Sequence, residues 1–301
     1  MATKNKKNAP AKNAGEIAVG TSQAQLVWRQ FKKNKGAMIG IAFLILLFVA
    51  TLVSPLIWDY DTQILGMNPR ARLIKPCLEH PFGTDTMGRE MIGRVLYGAR
   101  YSLLIGFGAT AISAIIGIPL GAIAAYAGGK TENIIMRLVE LLLMIPNMLL
   151  TIVIVAITGI NLRNLVICFG IATIPHFCRN ARAAVMTVMG NEYIEAAKAL
   201  GVKDWVIIVT HILPNALSPI LVQATSRIGG CIVGAAGFSF LGLGVPVPTP
   251  EWGAMLNEAK GHMRQNPYLV LFPGLAIFVT VLAVNMIGDG LRDALDPKLK
   301  R

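Results

Sequence analysis

The feature that most constrains this chain is an uninterrupted apolar segment near its N-terminus. Residues 38–57 contain no charged side chain, and about 20 apolar residues in a helix are enough to cross the core of a bilayer. A backbone inside lipid must satisfy its own hydrogen bonds, so such a segment is expected to be helical. Further apolar segments follow at 103–127, 134–159, 165–188, 215–240 and 268–291. The sequence therefore predicts an all-α, polytopic membrane bundle of about six transmembrane helices.

The composition agrees with a membrane protein and argues against two other classes. Hydrophobic residues make up 54% and charged residues 15% of the chain, whereas soluble domains average about 45–50% and about 25%. Neither a soluble enzyme nor a disordered chain fits these values. The cysteines are scattered and form no C-x-x-C pair; they are Cys77, Cys168, Cys178 and Cys231. We therefore expect no disulfide framework, no metal site and no cofactor.

Positive charge is concentrated near the N-terminus. The net charge is +12, and the first 35 residues contain eight Lys or Arg. Because cytoplasmic loops are enriched in these residues, we predict a basic cytoplasmic N-terminal tail over 1–37 and a cytoplasmic C-terminal tail over 292–301. Basic residues beside a membrane span favour the lipid surface as their partner and not a nucleic acid. The prediction is a multi-pass protein of the cell membrane with both termini in the cytoplasm.

The segment between the first two spans, 58–102, is too long for a simple turn. It is predicted to be an extracytoplasmic loop, and its second part has a helical pattern typical of an interfacial helix. Asp85 is expected to cap this helix. Arg89, Arg94 and Arg100 are expected to anchor the helix at lipid headgroups by snorkelling.

The segment 189–214 lies on the cytoplasmic side, within the predicted membrane core 103–291. Asn191 can cap a first helix, and Gly201 fits the left-handed position that ends one. Asp204 can begin a second short helix, and Pro214 is expected to end it before the next span. We predict a small helix-turn-helix that is presented to a cytosolic partner.

This segment contains a motif of acidic and small residues with a terminal Leu-Pro pair. Its members are Glu195, Ala196, Ala197, Gly201, Leu213 and Pro214. The motif resembles the EAA motif of ABC importer permeases, in which it forms the coupling helix that seats in a cytosolic ATPase. His211 departs from the general pattern, but a His-Ile-Leu-Pro-Asn run is usual in the peptide-transporter branch. His211 is therefore included in the predicted coupling segment. The plainer alternative is an amphipathic loop helix with a Leu-Pro stop.

Three other stretches resemble the dipeptide, oligopeptide and nickel permeases of that family. They are His80–Asp85 with Gly88–Arg89 and Leu96–Arg100, Phe240–Gly244 with Pro248–Gly253, and Gly288–Pro297. Their order resembles that of the second, or C-type, permease subunit. The resemblance implies a type I ABC importer permease fold. It also implies a heterodimer with a second homologous permease, two cytosolic ABC ATPase subunits and an extracytoplasmic solute-binding protein.

The function implied is that of a permease subunit that forms half of a translocation pathway for dipeptides or oligopeptides. Nickel or a nickel chelate is the alternative substrate. The sequence contains no Walker A motif, so ATP hydrolysis is assigned to partner subunits and the chain itself is not predicted to be an enzyme. A membrane-embedded enzyme lacks a catalytic motif here, and a passive channel would leave segment 189–214 without a purpose.

Single residues outside the coupling segment have more than one interpretation. Arg227 falls near the middle of the fifth span, where a charge costs roughly 2.5–3.5 kcal/mol on insertion scales. It is expected either to line the translocation pathway or to pair structurally, with Glu140 of the third span as one candidate; Glu140 is also a candidate for the pathway. The candidates for docking of the binding protein are Asp85, Arg89 and Trp252.

Overall fold

The computed structural model describes residues 23–295, which fold as a helical bundle. The helices are α1 (Gln23–Phe31), α2 (Lys35–Ile57), α3 (Met91–Ala127), α4 (Gly129–Met144), α5 (Asn147–Thr158), α6 (Leu162–Met189), α7 (Glu192–Ala199), α8 (Asp204–Val206), α9 (Leu213–Phe240), α10 (Trp252–Ala259) and α11 (Tyr268–Leu295). A π-helical turn at Ile207–Ile212 joins α8 to α9. Within the described residues, the one extended pairing is an isolated antiparallel bridge between Thr84 and Glu90. The predicted all-α class is confirmed.

Four helices are long and apolar enough to cross a membrane: α2, α3, the continuous helix from Asp204 to Phe240, and α11. A fifth span is formed if α4 and α5 act together, although they are bent by 90°. Pro146 is the N-cap of α5 and lies at this bend, which fits the tendency of proline to interrupt the preceding helix. Helix α6 contains 28 residues but is more polar than these spanning helices, and it is not among the helices that meet the criterion for a span. Length and composition thus identify four or five spans among residues 23–295, where six were predicted.

Close packing on α3 explains how the more polar α6 fits into the bundle. A Cβ atom on Gly117 would lie 2.7 Å from the Phe177 Cβ, and one on Gly121 would lie 2.3 Å from the Cys178 carbonyl oxygen. Only glycine permits this approach of two helices, as in the small-xxx-small interfaces of membrane proteins. The contact buries one face of α6 against α3 inside the bundle.

Helix α2 packs at the periphery, where its partner is α11. A Cβ atom on Gly40 would lie 2.6 Å from the Ala283 carbonyl oxygen, so these helices also touch backbone to backbone. Away from this contact, α2 exposes large apolar side chains, including Leu46 at 67% and Phe48 at 58%. Such a face suits contact with lipid chains and not with water.

Helix α3 starts earlier than the second predicted span. It contains 37 residues, so it is about 55 Å long and extends well beyond a hydrocarbon core of about 30 Å. The helical stretch that was expected to form a separate interfacial helix is the first part of α3. The cap described below covers this projecting end, and the segment 189–214 lies at the other end of α3.

Candidate functional site

A cap covers the end of the bundle at which α3 begins; the name denotes residues 58–90 together with α10. The Arg89 Nε donates to the Asp85 Oδ2 over 2.6 Å, and the Arg94 Nη1 lies 3.2 Å from the same oxygen. Both guanidinium groups also donate through Nη2 to Glu258 of α10, over 2.9 Å and 2.8 Å. Two cations and two anions are thus joined in one charge-balanced cluster.

Asp85 organises the loop of the cap and does not cap a helix. Its Oδ1 accepts hydrogen bonds from the backbone N–H groups of Met87 and Arg89, over 2.8 Å and 2.9 Å. The N-cap of α3 is Glu90, whose side chain makes no capping bond. Arg89 and Arg94 are 2% and 0% exposed, so neither reaches the headgroups. The predictions of an Asp85 N-cap and of snorkelling by Arg89 and Arg94 are wrong, because these charges neutralise one another inside the chain. Arg100 donates through Nη2 to the Thr51 carbonyl oxygen of α2.

Trp252 connects α10 to α3 by a hydrogen bond and by packing. Its side chain is fully buried, and its Nε1 donates to the Val95 carbonyl oxygen over 2.9 Å. The neighbouring Glu251 caps α10 by accepting from two backbone N–H groups at the start of the helix. Burial raises the pKa of the Glu251 carboxyl group despite these bonds. Trp252, Asp85 and Arg89 are therefore framework residues of the cap, and their buried side chains offer little free surface to a binding protein.

Residues 189–214, called the coupling segment after their predicted role, have the predicted turn. Gly201 lies in the left-handed region with φ +74°. Its N–H donates to the Lys198 carbonyl oxygen and the N–H of Val202 to that of Ala197, which are the two bonds of a Schellman motif. A Cβ atom on Gly201 would meet nothing within 4 Å. The backbone conformation, and not crowding, therefore requires glycine at this position.

One face of the coupling segment is bound into the bundle. Ile194 and Ala197 of α7 are buried with Ile212 of the π-helical turn, in a core that includes residues of α3 and α6. Near the end of α3, the Tyr126 Oη donates to the Asp204 Oδ1 over 2.6 Å. These contacts hold both halves of the segment against the membrane helices.

The opposite face of the coupling segment is free within the described chain. It exposes two large apolar side chains, Leu200 at 83% and Trp205 at 64%. Of the predicted coupling residues, Glu195, Ala196 and Gly201 are exposed here, and Pro214 of α9 is exposed as well. Exposed apolar side chains rimmed by polar groups are typical of an interaction surface.

Pro214 does not separate the coupling segment from the next span. Helix runs continuously over Asp204–Phe240, through the π-helical turn in which the Leu213 N–H donates to a carbonyl oxygen five residues back. Pro214 lies in the first turn of α9, where its missing N–H is tolerated. His211 lies inside the π-helical turn, and its carbonyl oxygen accepts from the Asn215 side chain over 2.6 Å. The prediction that Pro214 ends the helix is wrong, so the second half of the segment and α9 form one helix.

A groove between α6 and α9 was not predicted from the sequence. It contains a cavity of about 220 Å³ beside the middle of α9 and another of about 700 Å³ closer to the coupling segment. On α9 the lining residues recur every three or four positions at Asn215, Pro219, Gln223, Arg227, Gly230 and Gly234. On α6 they include Phe169, Thr173, Asn180, Ala184 and Thr187. Both cavities therefore follow one face of each helix.

Arg227 lines the smaller cavity, whereas Glu140 lines neither. Glu140 pairs with Arg137 on its own helix over 3.3 Å, and these side chains are 51% and 83% exposed. Among the hydrogen bonds and ion pairs within residues 23–295, none involves the Arg227 guanidinium group. The predicted pair of Arg227 with Glu140 does not form, because the carboxylate is bound elsewhere. In the same part of the chain, no group of three or more His, Cys, Asp or Glu is placed to hold a metal ion.

Two family models match the chain. The model of the binding-protein-dependent transport system inner membrane component matches residues 117–301, which is more than half of the chain. The chain belongs to this family of transport permeases. The model of the N-terminal TM domain of oligopeptide transport permease C matches residues 22–76, which confirms the predicted C-type resemblance.

Curated permeases align with nearly the whole chain. The dipeptide transport system permease protein DppC of Alkalihalophilus pseudofirmus is 45% identical, over 91% of this chain and 89% of the relative. The di/tripeptide transport system permease protein DppC of Pseudomonas aeruginosa is 40% identical, over 97% of both chains. The glutathione transport system permease protein GsiD of Escherichia coli is 44% identical, over 91% and 90%. The chain is accordingly a membrane transport component and not an enzyme.

A solved permease has the same fold. A chain of the MetNI methionine ABC transporter, captured in inward-facing conformations, superimposes with a TM-score of 0.59 at 19% identity. The similarity covers 68% of this chain and 98% of the other. The predicted type I ABC importer permease fold is confirmed.

Sequence reasoning missed two sets of residues in this permease. The first is Glu258, together with the buried state of Arg94; a cation and an anion 164 residues apart give no local signal of their pairing. The second is the groove. A repeat of small and amide residues every three or four positions on α9 was visible in the sequence and could have revealed one of its walls.

Proposed function

We propose that this permease is one of two membrane-spanning subunits through which an importer passes short peptides into the cell. Three relatives at 40–45% identity are named for dipeptides, di- and tripeptides, and glutathione. Peptide backbones and termini are the chemistry these substrates share. A short peptide is therefore the substrate class of this chain.

The groove between α6 and α9 is our candidate for this chain's half of the translocation pathway. It is lined mainly by small, amide and hydroxyl side chains, with Arg227 beside the middle of α9. Polar groups at membrane depth are tolerated where they face a cavity or another protein chain. The second permease would close the open side of the groove, whereas Glu140 lies outside this pathway.

The exposed face of the coupling segment is our candidate contact with a cytosolic ATPase. The residues that carry it are Glu195, Ala196, Gly201, Leu200 and Trp205, with Ala197, His211, Leu213 and Pro214 supporting them from the buried side or from the helix behind. Leu200 and Trp205 supply the apolar anchors, and large apolar anchors dominate the energy of protein interfaces.

One observation joins these two sites: the second half of the coupling segment and the groove wall are a single helix, Asp204–Phe240. A displacement of this segment by the ATPase would carry α9, and Arg227 with it, without an intervening loop to absorb the motion. Such a permease would alternate between outward-facing and inward-facing states, and ATP binding would bias the balance through this one contact.

The remaining parts of the assembly follow from the family. The partners are a second homologous permease in a heterodimer, two cytosolic ABC ATPase subunits and an extracytoplasmic solute-binding protein. The chain lies in a prokaryotic cell membrane with both termini in the cytoplasm, so the cap faces outward. The cap then receives the binding protein on its exposed surface, above the buried cluster of Asp85 and Arg89.

Reconstitution tests the proposal directly. The permease, its companion permease, the ATPase and the binding protein are placed in vesicles, and ATP-dependent import of radiolabelled alanyl-alanine is measured. We expect import that requires all four components and ATP hydrolysis that the loaded binding protein stimulates. A chain that purifies without an ATPase and conducts solute without ATP would contradict the proposal.

A further inference from the structure

Arg227 is a cation in the middle of a membrane span, and no anion lies beside it among residues 23–295. The hydrogen bonds and ion pairs within residues 23–295 leave its guanidinium group unused, and the other charged group near it, Arg179 of α6, is also a cation. A charge at this depth costs roughly 2.5–3.5 kcal/mol on insertion scales. The cost is offset when an anion arrives, so the position is built to receive negative charge.

The cavity around Arg227 suits one end of a small amphipathic molecule. Asn147 and Thr173 add polar groups to its wall, while Met148 and Phe169 add apolar surface. Gly230, one turn from Arg227, lines the same cavity, and a Cβ atom there would meet nothing within 4 Å, so this part of the wall is open. A few polar groups in a mainly apolar pocket are the usual features of a small-molecule site.

We propose that Arg227 binds the C-terminal carboxylate of the peptide during its passage. Asn147, whose Nδ2 lies 3.4 Å from the His176 Nε2, has a second N–H with which to donate to the same carboxylate. This inference rests on the proposed function. A guanidinium group can donate two parallel hydrogen bonds to a carboxylate, and every unmodified peptide carries that group whatever its side chains. Arg227 would thus select for a free C-terminus in the permease itself, while the apolar wall accepts different terminal side chains.

The test compares two substrates that differ in this one group. Import of alanyl-alanine and of its C-terminal amide is measured in the reconstituted transporter, each at a concentration that saturates the binding protein. For Arg227→Gln we expect about tenfold slower import of the free acid, from the loss of a charge-assisted bond, and less than about twofold change for the amide. Arg227→Lys should import the free acid faster than Arg227→Gln but more slowly than the wild type. Lysine keeps the positive charge but cannot donate two parallel hydrogen bonds to a carboxylate.

Arg179→Gln is the matched control, because it removes a neighbouring exposed cation that does not line the cavity. It should leave the ratio of free-acid to amide import at the wild-type value. Equal losses for both substrates in Arg227→Gln would overturn the inference and assign Arg227 to an ion pair with the second permease. Unchanged import of both substrates in Arg227→Gln would also overturn it. If the wild-type assembly imports neither peptide, the proposed function itself fails.

Discussion

The cap and the coupling segment use charged and apolar residues in opposite ways. At the cap, Arg89 and the adjoining Arg94 of α3 are 2% and 0% exposed and are neutralised by acids of the same chain. In the coupling segment, Glu195 is exposed, and so are Leu200 and Trp205. One end of the bundle pairs its buried charges internally, whereas the other exposes its charged and apolar groups within the described residues. The two ends of α3 thus differ: one carries a buried framework, and the other carries the proposed docking surface.

The largest effect is expected from breaking the framework at Glu258. The change Glu258→Gln leaves two buried guanidinium groups with the single carboxylate of Asp85. Removal of one partner from a buried ion pair costs about 3–5 kcal/mol. We expect a lower Tm and a smaller folded fraction of the purified permease assembly in detergent.

Glu140→Gln is the control for that change, because it removes the same charge from an exposed pair with Arg137. Surface pairs contribute about 0–1 kcal/mol, so its Tm should stay near that of the wild type. Equal Tm values for Glu258→Gln and Glu140→Gln would show that the cap is not held by its charge cluster.

The next effect is expected on the docking side, at Trp205. Trp205→Ala removes an exposed apolar anchor while the buried face of the segment is untouched. Truncation of a central interface tryptophan costs about 2 kcal/mol or more, which is about a 30-fold loss of affinity. Titration of the ATPase onto the purified permease should show this loss with an unchanged Tm.

Trp28→Ala is a control for the docking prediction, since Trp28 is also exposed, at 49%, but lies on α1 outside the coupling segment. It should leave ATPase affinity unchanged. If Trp205→Ala lowers the Tm and not the affinity, Trp205 belongs to the framework and the comparison between the two ends is wrong.

Helices that are surrounded by lipid could be predicted from the sequence. The charge-free run 38–57 matches α2, because an apolar backbone in a bilayer has few alternatives to a helix. α6 is different, since its stability depends on α3 approaching through Gly117 and Gly121. The continuation past Pro214 was also missed. A π-helical turn shifts the hydrogen-bond register before the proline, and local propensity does not reveal that shift.

In the candidate sites, too, features set by local conformation could be predicted, and features set by tertiary packing could not. Gly201 was predictable because a positive φ is a local requirement of one residue. The burial of Asp85, Arg89 and Trp252 was not, because it depends on α10 folding back over α3 from far along the chain. Arg227 was recognised as unusual, but whether a carboxylate such as Glu140 lies beside it is a property of the tertiary structure.

A smaller effect is expected from the turn that shapes the docking surface. Gly201→Val places a β-branched residue at φ +74°, and the left-handed region costs an L-residue roughly 1–2 kcal/mol. We expect uptake to fall strongly while the affinity of the binding protein for peptide is unchanged. Gly201→Asn is the control, because asparagine tolerates this conformation. Normal uptake in Gly201→Val would argue against the coupling assignment.

The smallest effect concerns the hydrogen bond that ties the docking surface to the membrane helices. Tyr126→Phe removes the hydroxyl that donates to Asp204 over 2.6 Å and keeps the ring. Because this bond is exposed, its net contribution is about 0.5 kcal/mol, so Tm and ATPase binding should both stay near the wild-type values. If the bond transmits motion from Asp204–Phe240 to α3, fewer peptides will be imported per ATP hydrolysed. An unchanged ratio of import to hydrolysis would leave the buried contacts of Ile194 and Ala197 as the connection between docking surface and bundle.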